Sequence, residues 1–421
     1  MANSEHLALV KQGAEVWNSW YKKHKRVIPD LTQANLSNLN LSGINLRKAI
    51  LEQANFNNTN LSKAKLNNAN LNKANLLGAN LNSTSLKGAN LDFAIFSQAT
   101  IDRQTVMADK YLKIYEIVNR IGENKNFTGI DLSNSNLFKA DLSNAELGEA
   151  KLNNANLNSA NLSNAYLHKA DLTGANLQNA DLTNTYFSQA NLTSAYLSEA
   201  LCCGTYFKDA KLKFANLKNA KLSNKTTLDL KWHSVWEIVN HGAVKKNLSG
   251  ADLSHANLQG VDFEEANLTN AKLSNAILRH SNLTNANLTN TDLGGANVCG
   301  VDFDRANLKG AKLKSIISDR RTQLPAIPNG TSLMVKERPV KMAKTTESLS
   351  LTDRKPEFPQ QNKVPETKPK KSENKLGIFL LGILAALAAG GYVLWTQYPG
   401  YPLSLKLEIW KGQLEQLIPQ N

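Results

Sequence analysis

Cysteine and histidine are scarce: three and seven respectively in 421 residues. Cys202, Cys203 and Cys299 cannot build a disulfide framework. Cys202 falls where leucine otherwise recurs and is expected to point inward. Cys203 and Cys299 are expected on outer faces. The histidines (His6, His24, His168, His233, His241, His255 and His280) are scattered, with no HExxH and no Cys/His ligand spacing. Neither a glycine-rich phosphate loop nor a nucleophile elbow is found. The N-terminus has no apolar run of the secretory type. These absences predict a chain that is not an enzyme and binds no metal or cofactor.

What the chain has is a repeat. Ala64-Lys65-Leu66-Asn67-Asn68, Ala69-Asn70-Leu71-Asn72-Lys73 and Ala74-Asn75-Leu76-Leu77-Gly78 show it. Every fifth residue is leucine, and two positions earlier stands a small residue. A period of five suits neither the 3.6-residue helix nor the two-residue strand, so it signals a solenoid. The central position recurs in three blocks: Leu31 to Ile101, Phe127 to Leu222, and Leu248 to Leu313. Of its 49 occurrences 39 are Leu and seven are Phe, and the position two earlier is Ala in 34. Both are therefore inward. The other three positions vary among Asn, Ser, Lys, Asp, Thr and Gly, which suit tight outward turns. No coil can bury its own apolar face, so coils must stack and pair backbone groups between layers.

The pattern resembles the pentapeptide-repeat family, whose motif is A(D/N)LXX. That resemblance implies an all-β solenoid, a right-handed quadrilateral β-helix with four pentapeptides per coil. Forty-nine units would give about 12 coils and a rod on the order of 60 Å long. Leu39, Ile44, Ile130, Val261 and Val301 replace the small residue, and wider coils are expected there.

Around the repeats, residues 1–30 are expected to form an N-terminal helical cap, a helix followed by a connector. Trp17 and Trp20 would cover the open end of the first coil; an interfacial membrane contact is the competing role. Blocks 31–101, 127–222 and 248–318 are separated by insertions 102–126 and 223–247. The insertions are copies: Tyr115-Glu116-Ile117-Val118-Asn119 matches Trp236-Glu237-Ile238-Val239-Asn240. Tyr111, Ile114, Tyr115 and Val118 fall at helical spacing, as do Trp232, Val235, Trp236 and Val239. Gly122 and Gly242 are the expected C-terminal stops. Each insertion thus reads as a short amphipathic helix. Tyr111, Tyr115, Trp232 and Trp236 are either core residues or contacts for a protein partner. This insert and the N-terminal aromatic-basic segment look like multi-block cyanobacterial members of the family.

Residues 319–375 hold most of the chain's 11 prolines and 13 basic against seven acidic residues. Their composition predicts a disordered basic linker. Residues 376–396 carry no charge and are long enough to cross a bilayer. Lys368, Lys370, Lys371 and Lys375 precede them, so the rod is expected on the cytoplasmic side with the C-terminus opposite. Gly382, Ala386 and Gly390 allow self-association of the span. Residues 397–421 form a tail with one apolar helical stripe.

Net charge is +14, yet the three blocks together are near neutral, with 20 basic and 17 acidic residues. No nucleic-acid partner is expected. Together these features predict a membrane-tethered, non-catalytic scaffold for an unidentified protein partner. The resemblance also implies an alternative, since some family members mimic DNA and bind type II topoisomerases. The neutral rod and the anchor disfavour it.

Overall fold

The computed structural model describes residues 1–120 and 125–322. The span at 376–396, the linker beyond residue 322, the tail and Gly122 lie outside the described residues.

Residue i bridges residue i+20 in parallel in all three blocks, as in Asn35↔Asn55↔Asn75 and Tyr166↔Tyr186↔Tyr206, and the spacing becomes 21 at two block ends, Ser85↔Val106 and Tyr206↔Thr227. Four five-residue units therefore make one coil, and the quadrilateral β-helix expected from the repeat is present. Its strands are so short that, among the described residues, only Leu201–Cys202 and Lys221–Leu222 extend beyond a single bridge. Each unit contributes to the ladder in both directions. The N–H of Leu51 donates to the Asn70 carbonyl ahead at 2.7 Å, and that of Asn55 to the Ala34 carbonyl behind at 2.9 Å.

The corners follow from local chemistry. The central residue's carbonyl accepts from the N–H three residues on, as in Ala34 N to Leu31 O at 3.0 Å. The second of the two residues between sits at positive φ, +57° to +58° at Asn68, Lys73 and Asn154, which is the signature of a type II turn. Asparagine tolerates this left-handed conformation well, and lysine less so. The asparagine or aspartate preceding the centre caps the same corner. The Asn75 side chain accepts from Leu77 N at 3.0 Å, and Asp171 from Thr173 N at 3.0 Å. These asparagines also bond along the axis, Asn75 Nδ2 to Asn55 Oδ1 at 3.2 Å.

Inside, the leucines and alanines form one continuous core, with Phe56, Phe96, Phe187, Phe207, Phe263 and Phe303 taking leucine positions. Where threonine replaces alanine the hydroxyl stays buried and paired, as in Thr185 Oγ1 to Leu162 O at 2.8 Å. The branched residues expected to widen the coils leave the axial ladder intact. Lys65 N meets Ile44 O at 2.8 Å, Lys151 N meets Ile130 O at 2.8 Å and Asn282 N meets Val261 O at 3.1 Å.

The N-terminal cap holds two helices rather than the one expected, α1 (Ser4–Lys11) and α2 (Ala14–Lys23), joined at Gly13 with φ 107°. Trp17 is fully buried. Its Nε1 donates to Asn45 O at 2.7 Å, Asn18 Nδ2 donates to Gly43 O at 3.0 Å, and Asn45 N donates back to Asn18 Oδ1 at 2.8 Å. These side chains occupy the places of a missing preceding coil. His6 packs on both Trp17 and Trp20, completing the plug. Capping, not a membrane contact, is what Trp17 does.

Candidate functional site: the outward faces and the block junctions

Each insertion supplies one helix, α3 (Asp109–Val118) and α4 (Leu230–His241). Gly242 caps α4 at φ 73°, as expected. The two helices use equivalent bonds, offset by 121 in residue number. Tyr115 Oη donates to Ala99 O at 3.2 Å, and Trp236 Nε1 to Ala220 O at 2.7 Å. Asn119 Nδ2 and Asn240 Nδ2 donate to Phe96 O and Leu217 O, each at 3.1 Å. The same two asparagines accept from Gln98 N and Asn219 N. Burial raises the Tyr115 hydroxyl above its ordinary pKa. Burial, then the neighbouring Asp92 carboxylate, pushes Tyr111 up to about 12. Tyr115 and Trp232 are buried, while Tyr111 and Trp236 are half-buried. All four therefore pack against the wall of the rod, with Tyr111 and Trp236 keeping part of the side chain exposed.

Each helix seals a step in the ladder. Phe93 N donates to Asn134 O at 2.7 Å, and Phe214 N to His255 O at 2.8 Å, so adjacent blocks share a corner bond across the insertion. Both phenylalanines sit at positive φ, 59° and 60°, a strained state for a bulky side chain. Their recurrence 121 residues apart was a sequence signal that periodicity by fives passes over. The Phe214 ring meets the His255 ring at 5.6 Å. Burial, with Lys213 and Lys231 nearby, lowers the His255 pKa.

Each block closes with one motif. Asp102, Ser223 and Asp319 take the backbone N–H of Ser83, Gly204 and Gly300, at 2.8, 3.0 and 2.9 Å. Three residues later Thr105, Thr226 and Thr322 bond back to the motif and to a core carbonyl. Burial raises the Asp102 and Asp319 carboxyls, but hydrogen bonds, led by those from Ser83 and Arg321, outweigh it and hold both at about 2.

Two outward surfaces emerge only when residues twenty apart are aligned. In the second block Tyr166, Tyr186 and Tyr206 form one column, with ring centroids 5.6 and 6.0 Å apart. Tyr166 and Tyr186 are each 46% exposed. In the first block five of the six basic residues, Arg47, Lys48, Lys63, Lys65 and Lys87, lie exposed on one face and its two bounding corners. Sequence reading by block totals missed both.

Among the described residues no group of His, Cys, Asp and Glu could hold a metal ion. Cys202 is fully buried and its thiol pKa is pushed up by burial; Cys203 and Cys299 are partly exposed. Among the described residues no helix is long and apolar enough to cross a membrane.

Among curated proteins no relative matches the chain. Solved structures do. HetL, a pentapeptide repeat protein involved in heterocyst differentiation regulation from the cyanobacterium Nostoc, is 26% identical, over 69% of this chain and 89% of that one, with a TM-score of 0.17. A pentapeptide repeat protein of the Arabidopsis thaliana thylakoid lumen is 28% identical, over 26% and 74% respectively, with a TM-score of 0.16. Full-length QnrB1, a plasmid-mediated fluoroquinolone resistance protein, is 12% identical over 68% and 94%, with a TM-score of 0.19. The family described as Pentapeptide repeats matches in eight copies across residues 30–101, 124–224 and 247–317, more than half of the chain. With four five-residue units in each coil and the Ala and Leu positions inward throughout all three blocks, the chain belongs to the pentapeptide-repeat family.

Proposed function

We propose that this protein is a non-catalytic, membrane-tethered scaffold that holds a protein partner against the rod. The observation that carries the reading is the tyrosine column. Tyr166 and Tyr186 are large, exposed aromatics on a backbone bonded to the coils on both sides. Tyrosine is enriched at protein interfaces, because it supplies contact area at low conformational cost. The aromatic residues of α3 and α4 pack against the rod, whereas the tyrosines of the column pack on one another and face outward; exposed Tyr196 and Phe138 stand apart from it. The uncharged run 376–396, with lysines before it, supports the tether and a cytoplasmic rod. A tether raises the local concentration of whatever the rod binds. The DNA-mimic alternative is disfavoured by the unpaired positive charge on the first block.

The test has two arms. The full chain should stay in host membranes through a high-salt, alkaline wash, and a chain ending at Lys375 should not. A protein recovered with the full chain from solubilised membranes should be lost with Tyr166→Ala/Tyr186→Ala. Release of the full chain by the wash removes the tether. Recovery unchanged by the double substitution removes the column as the binding surface.

A further inference from the structure

The first block's basic face has no counterpart elsewhere on the described rod. Arg47 and Lys87 belong to one row and lie two coils apart, about 10 Å at β spacing. Lys65 lies beside them on the intervening coil, with Lys63 and Lys48 on the flanking corners. All five are exposed. Arg47 Nε bonds only the neutral Asn67 side chain, at 3.1 Å. No ion pair among the described residues reaches any of the five. Within the first block, acid reaches this face at the far end of one corner, where Asp102 accepts from Ser83.

The capping helix extends this surface. Helix α2 crosses the first coil over residues 43–47, and Tyr21 Oη reaches Arg47 O at 3.3 Å. The basic run 22–26 follows at once. Lys22, Lys23, His24, Lys25 and Arg26, with Val27, line an open cavity of about 500 Å³. Positive charge thus continues from the rod wall onto the cap.

We infer that this face docks on an anionic lipid bilayer, laying the N-terminal end of the rod against the membrane to which the chain is tethered. The choice of partner rests on the tethered reading above. A flat, unpaired cationic face complements a flat anionic one. Each lysine near such a surface strengthens attachment by about fivefold. Single-stranded nucleic acid fits less well, because the rod wall around the five basic residues exposes no aromatic platform on which bases could stack. Nor does the rod wall present a helix or ribbon that could enter a duplex groove, and α2 lies flat across the first coil with Trp17 buried beneath it.

The experiment uses the full chain in lipid nanodiscs of phosphatidylcholine, with or without phosphatidylglycerol. Acetylation of each lysine is read by mass spectrometry. Lys48, Lys63, Lys65 and Lys87 should be protected on anionic discs at low salt, unprotected on neutral discs and released by high salt. Lys139 and Lys218, exposed on the opposite side of the second block, serve as controls and should not change. Lys63→Gln/Lys65→Gln/Lys87→Gln alters only exposed side chains and should keep the thermal unfolding profile. Its affinity for anionic vesicles should fall about fivefold for each charge removed. Equal reactivity on both discs overturns the inference. Protection by duplex DNA with none by anionic lipid overturns it in favour of a nucleic acid. Incorporation into neutral discs reads the span separately. A chain that fails to incorporate, yet is protected when anionic vesicles are added, loses the tether and keeps the face. A chain that shows neither loses both.

Discussion

Trp17 offers the sharpest test of how the rod is held together. Its ring is wholly buried against the first coil, and its Nε1 fills the acceptor on Asn45. A buried tryptophan removes roughly 200 Å² from water, an upper estimate of about 5 kcal/mol. The orphaned Asn45 carbonyl adds about 1 kcal/mol, offset by whatever water reaches it. Partial collapse of the cap brings the expected cost of Trp17→Ala to about 4 kcal/mol, within the usual range for such truncations. Trp17→Phe keeps most of the apolar contact and removes the donor, so it should cost about 1–2 kcal/mol. The location matters as much as the size. Each coil touches only its neighbours, so damage should stay local. Hydrogen exchange should speed up at Leu36, Leu41 and Leu46, whose amides bond forward to Asn55, Asn60 and Lys65. It should be unchanged at Leu162, Leu167 and Leu172. Uniform loss of protection along the chain would refute nearest-neighbour stacking, and no loss in the first coil would refute the capping role.

Other consequences can be checked in the same way. Tyr115→Phe and Trp236→Phe each remove one donor to a rod carbonyl. Each should cost about 1 kcal/mol in denaturant unfolding, and the two should add, because the junctions are separate. Asn164→Val places a β-branched residue at φ 58° and should cost about 1–2 kcal/mol, whereas Asn164→Gly should be nearly neutral. Asp102 and Asp319 have folded pKa values depressed to about 2. Their contribution is therefore present above the ordinary carboxylate pKa and lost as pH falls through about 2. Their carboxyl carbon shifts should titrate near pH 2, well below those of solvated carboxylates; titration at the ordinary value would show the closing motifs open in solution.

The inward half of the structure was legible because it repeats at the interval at which it is written. Leu and Ala recur every five residues, and the coil buries both every five residues. Cys202 could be placed correctly from that spacing alone. The outward half obeys a different interval. Lys65 is a neighbour of Arg47 and Lys87, not of Lys73. Summing charge over residues 31–101 blends one cationic face with three that carry little charge. The tyrosines were hidden for the same reason. Helical spacing located α3 and α4, but spacing says nothing of which atoms the indole and phenol hydrogens meet. Their acceptors, Ala220 O and Ala99 O, exist only once the coil ends are built. The split of the cap into two helices turned on Gly13, whose positive φ a periodic reading does not register.

The twenty-residue bridge gives the rod a rotational phase. Inserting or deleting four units leaves every downstream side chain facing the way it did. Inserting or deleting one unit leaves the core intact, since leucine still lands inside, but turns everything beyond it by a quarter. A five-residue deletion near residue 150 would carry Tyr166, Tyr186 and Tyr206 to an adjacent side without disturbing a single buried contact type. Length changes in this chain are therefore also changes of direction, and a duplicated repeat can re-aim a binding surface while the fold stays whole.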